Sequence, residues 1–75
     1  MNERINIDPT VCHGKPVIRG TRVPVAILIG SVAGGMSFAE IEREYDVTPE
    51  DIRAALTYAM ELVEEERHYL LPAHP

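Results

Sequence analysis

A chain of 75 residues with one cysteine and a formal charge of −5 has room for one small domain and none for an internal disulfide. Its most apolar run, Val23 to Ala33, falls well short of the roughly 20 residues that cross a bilayer. No signal peptide is visible, so the expected compartment for this single free thiol is the cytoplasm.

A core of this size supplies about 3–5 kcal/mol on its own. No clustered metal ligands offer a staple, which leaves a homodimer as the expected route to stability. The charge is unevenly spread. Residues 1–35 hold four basic and two acidic residues, a balance of +2; residues 36–75 hold three basic and ten acidic, a balance of −7. A nucleic-acid partner would favour the first half, and a basic protein partner the second. The plain alternative is that the acids solvate a helix.

In chain order, Arg4-Ile5-Asn6-Ile7-Asp8 alternates polar and apolar, the period of a half-buried strand, and Asp8-Pro9 ends it. Thr10 to Gly14 is a connection. Val17-Ile18 suits a short strand, Arg19-Gly20-Thr21 a tight turn, and Arg22-Val23 a returning strand. A lone hairpin is barely stable in water, so this sheet of two or three strands should lie on helices or pair with its copy in a second subunit.

Helix one is expected from Pro24 to Ala33, with Pro24 in its first turn. Its apolar residues lie almost all round, which predicts burial on more than one side, by a central position or a dimer contact. Gly30 weakens it and permits close approach by a neighbour. Gly34-Gly35 predicts a left-handed cap. Helix two starts after Ser37, whose spacing to Glu40 is that of a capping box; Phe38, Ile41 and Tyr45 share one face. Asp46-Val47 is a short turn. Helix three has Thr48 as N-cap, Pro49 in its first position and Glu50 and Asp51 where the dipole favours acids. Ile52, Ala55, Leu56, Ala59 and Val63 form its expected inner stripe, and Pro72 should stop it. The expected fold is mainly α with a small N-terminal β element: a hairpin over 1–23, then a three-helix, homeodomain-like helix-turn-helix unit over 24–71, and a tail at 72–75, all one domain.

The order Glu42, Asp46, Val47, Ile52, Ala55 aligns with the small residue, turn glycine, turn aliphatic and two core positions of a helix-turn-helix. The last three fit. Glu42 replaces the small residue, and Asp46 replaces the glycine, although aspartate tolerates positive φ better than most residues. As a DNA reader, helix three would present Glu50, Arg53, Ala54 and Thr57, with Arg53 to guanine and Thr57 to phosphate. Glu50 and Asp51 would oppose the backbone unless Asp51 turns inward as a cap. Three-helix packing without DNA is the alternative. The hairpin offers Lys15, Arg19 and Arg22. Arg19 and Arg22 either grip phosphates or pair with acids such as Asp8 or the glutamates of helix three. Farther on, Glu61, Glu64 and Glu65 with Tyr69, Leu70 and Leu71 form an acidic segment ending in an apolar cluster, suited to the groove of a basic partner or to packing on its own domain or dimer mate.

Catalysis finds little support. Cys12-His13 is the one neighbouring thiol–imidazole pair, and adjacent side chains in extended structure point apart. No zinc spacing or phosphate-binding glycine loop is present, and no cofactor is expected.

With Asp8-Pro9 before it, Gly14-Lys15-Pro16-Val17-Ile18-Arg19-Gly20-Thr21-Arg22-Val23-Pro24-Val25 resembles the signature of the domain of unknown function 433 family, over roughly Ile5 to Met60. That resemblance implies a VapB-like antitoxin with a helix-turn-helix, paired with a PIN-like ribonuclease toxin and binding operator DNA as a dimer. The alternative function is a protein-interaction or adaptor module whose helix-turn-helix is scaffold and never touches DNA.

Overall fold

The computed structural model describes residues 3–70, with side chains as far as residue 65. Strand β1 (Ile5–Asn6) leads through a 3-10 turn (Cys12–Gly14) to strand β2 (Val17–Ile18), and helices α1 (Val25–Ala33), α2 (Phe38–Tyr45) and α3 (Pro49–Leu70) follow. The fold is a small antiparallel strand pair on three helices, as the sequence pattern predicts.

The strands pair with Ile5 opposite Ile18 and Asn6 opposite Val17. Both are shorter than the alternation suggests. In this register Ile7 faces Pro16, which has no N–H to give the ladder, so pairing stops and Ile7 stays 44% exposed. At the other end the Arg19 N–H still reaches the Arg4 carbonyl at 2.7 Å. The hairpin turn is present: the Thr21 N–H donates to the Ile18 carbonyl at 3.0 Å across Gly20, whose φ is +82°. The Thr21 hydroxyl donates to the same carbonyl and accepts from the Val23 N–H. The returning strand at Arg22-Val23 reduces to a bridge between Val17 and Pro24, made by two bonds, from the Ile18 N–H to the Val23 carbonyl and from the Val25 N–H to the Pro16 carbonyl.

That bridge corrects the start of α1. Pro24 is the N-cap rather than the first helical residue, with φ −65° and an extended ψ of 136°. Its ring fixes φ at a value shared by helix and extended chain, and the bridge to Val17 holds ψ extended. The helix ends as predicted, with Gly35 as the left-handed residue at φ +95°. The Gly35 N–H bonds the Val32 carbonyl and the Met36 N–H the Ser31 carbonyl, each at 3.0 Å, a Schellman closure.

Helix α2 opens with the predicted capping box: the Glu40 N–H donates to Ser37 Oγ at 3.2 Å and the Ser37 N–H to Glu40 Oε1 at 2.9 Å. Asp46 closes it in the left-handed region at φ 54°, ψ 50°, where the sequence pattern placed a glycine substitute. A second capping box starts α3. The Asp51 N–H donates to Thr48 Oγ1 at 3.1 Å, and the Thr48 N–H to Asp51 Oδ2 at 3.0 Å.

Ile5, Ile18, Val25, Leu28, Ile41, Val47, Ile52, Ala54 and Ala55 form the core. Two expectations for α3 are corrected here. Ala54 is only 5% exposed, because β1 packs on α3 and widens its buried arc toward the Asp51 side. Val63, assigned to the inner stripe, is 57% exposed, because it lines an open groove beside α1 where nothing covers it. Among the described residues no helix is long and apolar enough to cross a membrane.

Candidate functional site

Three surfaces carry the residues singled out in the sequence. The first surrounds the hairpin. Arg19 is exposed, yet its guanidinium is committed to backbone: Nε donates to the Glu3 carbonyl at 2.5 Å and an Nη to the Ile5 carbonyl at 3.2 Å. Arg19 thus fastens β1 beside the turn instead of pairing with Asp8 or a glutamate of α3. Lys15 and Arg22 are exposed and make no ion pair among the described residues. Asp8 is engaged locally, accepting from the Thr10 N–H at 2.8 Å and the Thr10 hydroxyl at 2.7 Å. These bonds, the backbone one foremost, hold its carboxyl below the usual range.

An ion pair that sequence reasoning missed does the work expected of the arginines. Arg4 lies 3.0 Å from Asp51 Oδ1, while the other oxygen of Asp51 caps α3. The Asp51 half was legible in the Thr48-to-Asp51 spacing. Arg4 was not, because its partner lies 47 positions away.

The second surface is the outward face of α3. Glu50, Arg53 and Thr57 are exposed at helical spacing, while Ala54, expected among them, is buried. Arg53 pairs with Glu50 at 3.5 Å, both mostly in solvent, a contact of small energetic weight. Glu61, Glu64 and Glu65 are exposed farther along the helix. Tyr69 and Leu70 occupy its last turn with side chains outside the described residues, and Leu71 lies wholly outside them.

The third surface is an apolar groove of about 370 Å³ between α1 and α3, walled by Pro24, Val25 and Ile29 on one side and Tyr58, Ala59 and Leu62 on the other, with Lys15 at its edge. Sequence reasoning did not find it, because it is made by the angle between two helices.

Cys12 and His13 do not sit in extended chain. Both are left-handed, at φ 49° and 57°, and Gly14 follows at 80°. The Cys12 thiol lies 3.5 Å from the Arg22 carbonyl, its hydrogen-bond partner, while His13 is exposed. No group of three or more His, Cys, Asp or Glu side chains is placed to hold a metal ion among the described residues.

Residues 5–59 match the family model described as Protein of unknown function (DUF433). The chain belongs to the DUF433 family. A DUF433 protein of Anabaena variabilis, solved as a crystal structure, is 33% identical and superposes with a TM-score of 0.73, covering 91% of this chain and 68% of that one. Among curated relatives, the Mycobacterium tuberculosis protein named "Putative antitoxin VapB45" is 38% identical over 50 residues, covering 67% of this chain and 21% of that protein. The Sinorhizobium fredii "Uncharacterized protein y4eO" is 43% identical over 61 residues, covering 76% of this chain and 26% of that protein. This DUF433 chain therefore spans about a quarter or less of the curated relatives it matches.

Proposed function

We propose that this DUF433 protein is an antitoxin-like binding protein without catalytic activity, acting in the cytoplasm. It neutralises a PIN-like ribonuclease through the acidic half of α3 and binds operator DNA as a dimer. The observation that carries this reading is the likeness to a relative named as an antitoxin within a shared family. Charge supports the division of labour. A ribonuclease must bind a polyanion and is basic where it does so, and Glu61, Glu64 and Glu65 offer it an exposed acidic strip.

On the DNA side, Lys15 and Arg22 are the hairpin residues that make no ion pair among the described residues, while Arg19 holds β1 beside the turn. Arg53 and Thr57 share the outward face of α3 with Glu50, which opposes a phosphate backbone. That acid favours the second reading, a protein-interaction module in which the α2–turn–α3 unit is scaffold.

Co-expression with the adjacent reading frame, with a tag on this chain alone, tests the antitoxin half. Co-purification of a small nuclease-like protein whose lone expression stops growth is the expected result. A harmless neighbour that does not co-purify rejects it. For DNA, binding measured against salt should show Lys15→Ala with Arg22→Ala lowering the salt dependence by about two phosphate contacts per protomer. Toxin capture should be unchanged in the same variant. Equal loss of both activities argues against separate surfaces.

A further inference from the structure

We propose, within the dimeric antitoxin reading above, that the outward face of α1 and the groove beside it are covered by a second copy of this chain. The helix exposes Ala26, Ile27, Gly30 and Ala33 to solvent, an uncharged side bordered by Ser31, whose hydroxyl is bonded to the Ile27 carbonyl; Ile27 alone is 41% exposed. Gly30 lies in the middle of this side. A Cβ built there meets nothing within 4 Å, and its backbone is helical rather than left-handed. Neither a turn nor packing inside the protomer requires glycine at a position where it weakens the helix. A small residue there does suit a second backbone arriving from outside.

The groove continues this surface onto α3. Leu62 is 43% and Val63 57% exposed, and both prolong the stripe that Ile52 and Ala55 begin in the core and half-buried Ala59 continues. The apolar stripe of α3 thus outruns its own domain beside an α1 face that is apolar on its outside.

Charge selects the occupant. No ionisable residue lies between Val25 and Ala33. A basic protein gains nothing from so neutral a face, whereas two copies related by a two-fold axis meet there without opposing like charges. Apposing α3 with its own copy would set Glu61, Glu64 and Glu65 against themselves. The groove carries Lys15 on its α1 side and runs beside Glu61 and Glu65 of α3. The face thus has charges of both signs at its margins and none in its middle, as a self-complementary surface needs.

Sedimentation equilibrium of the whole chain tests the interface. The unmodified protein is expected to be a dimer at roughly 100 μM, and Gly30→Glu to raise its dissociation constant about a hundredfold or more. Space above Gly30 is open, so the variant should keep its helical circular dichroism. Val63→Ser, a milder change on α3, should weaken the dimer about tenfold or less. A monomeric unmodified protein, or a dimer unmoved by both variants, overturns the proposal. So does protection of Gly30→Cys (in a Cys12→Ser background) from alkylation only when the neighbouring gene product is bound, which would assign the face to that partner. Toxin capture is read separately by co-purification, so loss of this interface leaves the antitoxin reading standing, and failure of that reading leaves the dimer measurement intact.

Discussion

The two halves of α3 use the same kinds of residue to opposite ends. From Pro49 to Ala59 the helix is fixed: Thr48 and Asp51 cap it, Arg4 clamps the cap, and Ile52, Ala54 and Ala55 are buried. From Met60 to Glu65 every described side chain is exposed, although Leu62 and Val63 are as apolar as anything in the first half. The difference comes from what lies opposite. The first half supplies core residues that pack with α1, α2 and β1; in the second, Leu62 and Val63 only line the open groove beside α1. An apolar side chain stabilises a fold only where another surface removes it from water, so the second half of α3 is available for partners at little cost to the domain.

The sharpest way to break this contrast is a matched pair of truncations. Ile52→Ala should destabilise the protein by about 2–5 kcal/mol, or prevent folding, by leaving a cavity in a small core. Leu62→Ala should change stability by less than about 1 kcal/mol in urea titrations at dilutions where copies do not associate. Comparable losses from both would mean that α3 is buried along its whole length even in one protomer.

A smaller effect is expected at the junction of strand and helix. Asp51→Ala removes a cap and the partner of Arg4, and should cost about 2 kcal/mol. Asp51→Asn keeps an acceptor for the Thr48 N–H but loses the charge, and should recover about half. If the two variants behave alike, the ion pair rather than the cap carries the effect. Ser37→Ala, at the start of α2, lacks any such long-range partner and should cost about 1 kcal/mol. A cost equal to that of Asp51→Ala would show that Arg4 adds nothing.

Acid titration gives the smallest signal. The Ser37 N–H, and after it the Ser37 side chain, hold the Glu40 carboxyl below its ordinary 4.5. A depressed carboxyl stabilises the fold fully above its unfolded pKa and loses that contribution as pH falls through the lower, folded one. Stability followed by thermal melts should therefore decline below about pH 4.5, and Glu40→Gln should flatten part of that decline. Asp8, lowered by Thr10 from 3.8, acts in the same direction at lower pH. A decline equally steep in Glu40→Gln would assign it to other carboxylates.

How much of this was legible follows the range of each interaction. The capping boxes at Ser37 and Thr48, the Gly35 cap and the left-handed Asp46 depend on neighbours within a few positions, and the sequence spacing reveals them. Pro24 was misplaced by one residue because a proline ring is equally at home on either side of a helix boundary; its bridge to Val17, seven positions back, decides. Ala54 was placed outside because a stripe drawn on α3 alone does not know that β1 packs on it. The guanidinium of Arg19 turned out to serve the carbonyls of Glu3 and Ile5, an outcome no charge pattern signals, since carbonyls carry no letter in a sequence. For the candidate surfaces, the acidic strip was readable residue by residue. The groove was not, being a property of two helices at an angle.

The Arg4–Asp51 contact also has a consequence for the order in which the molecule is made. Arg4 leaves the ribosome before its carboxylate partner, which is added 47 residues later. Until α3 has been synthesised, β1 lacks its ion pair and is held by the two residues of β2 and by Arg19, and a pairing that short is barely stable in water. Strand β1 is thus made before the helix whose carboxylate secures it. In a nascent chain that stops before Asp51, β1 would lack its tie to α3 and be open to proteases, and synthesis of α3 is what supplies that tie.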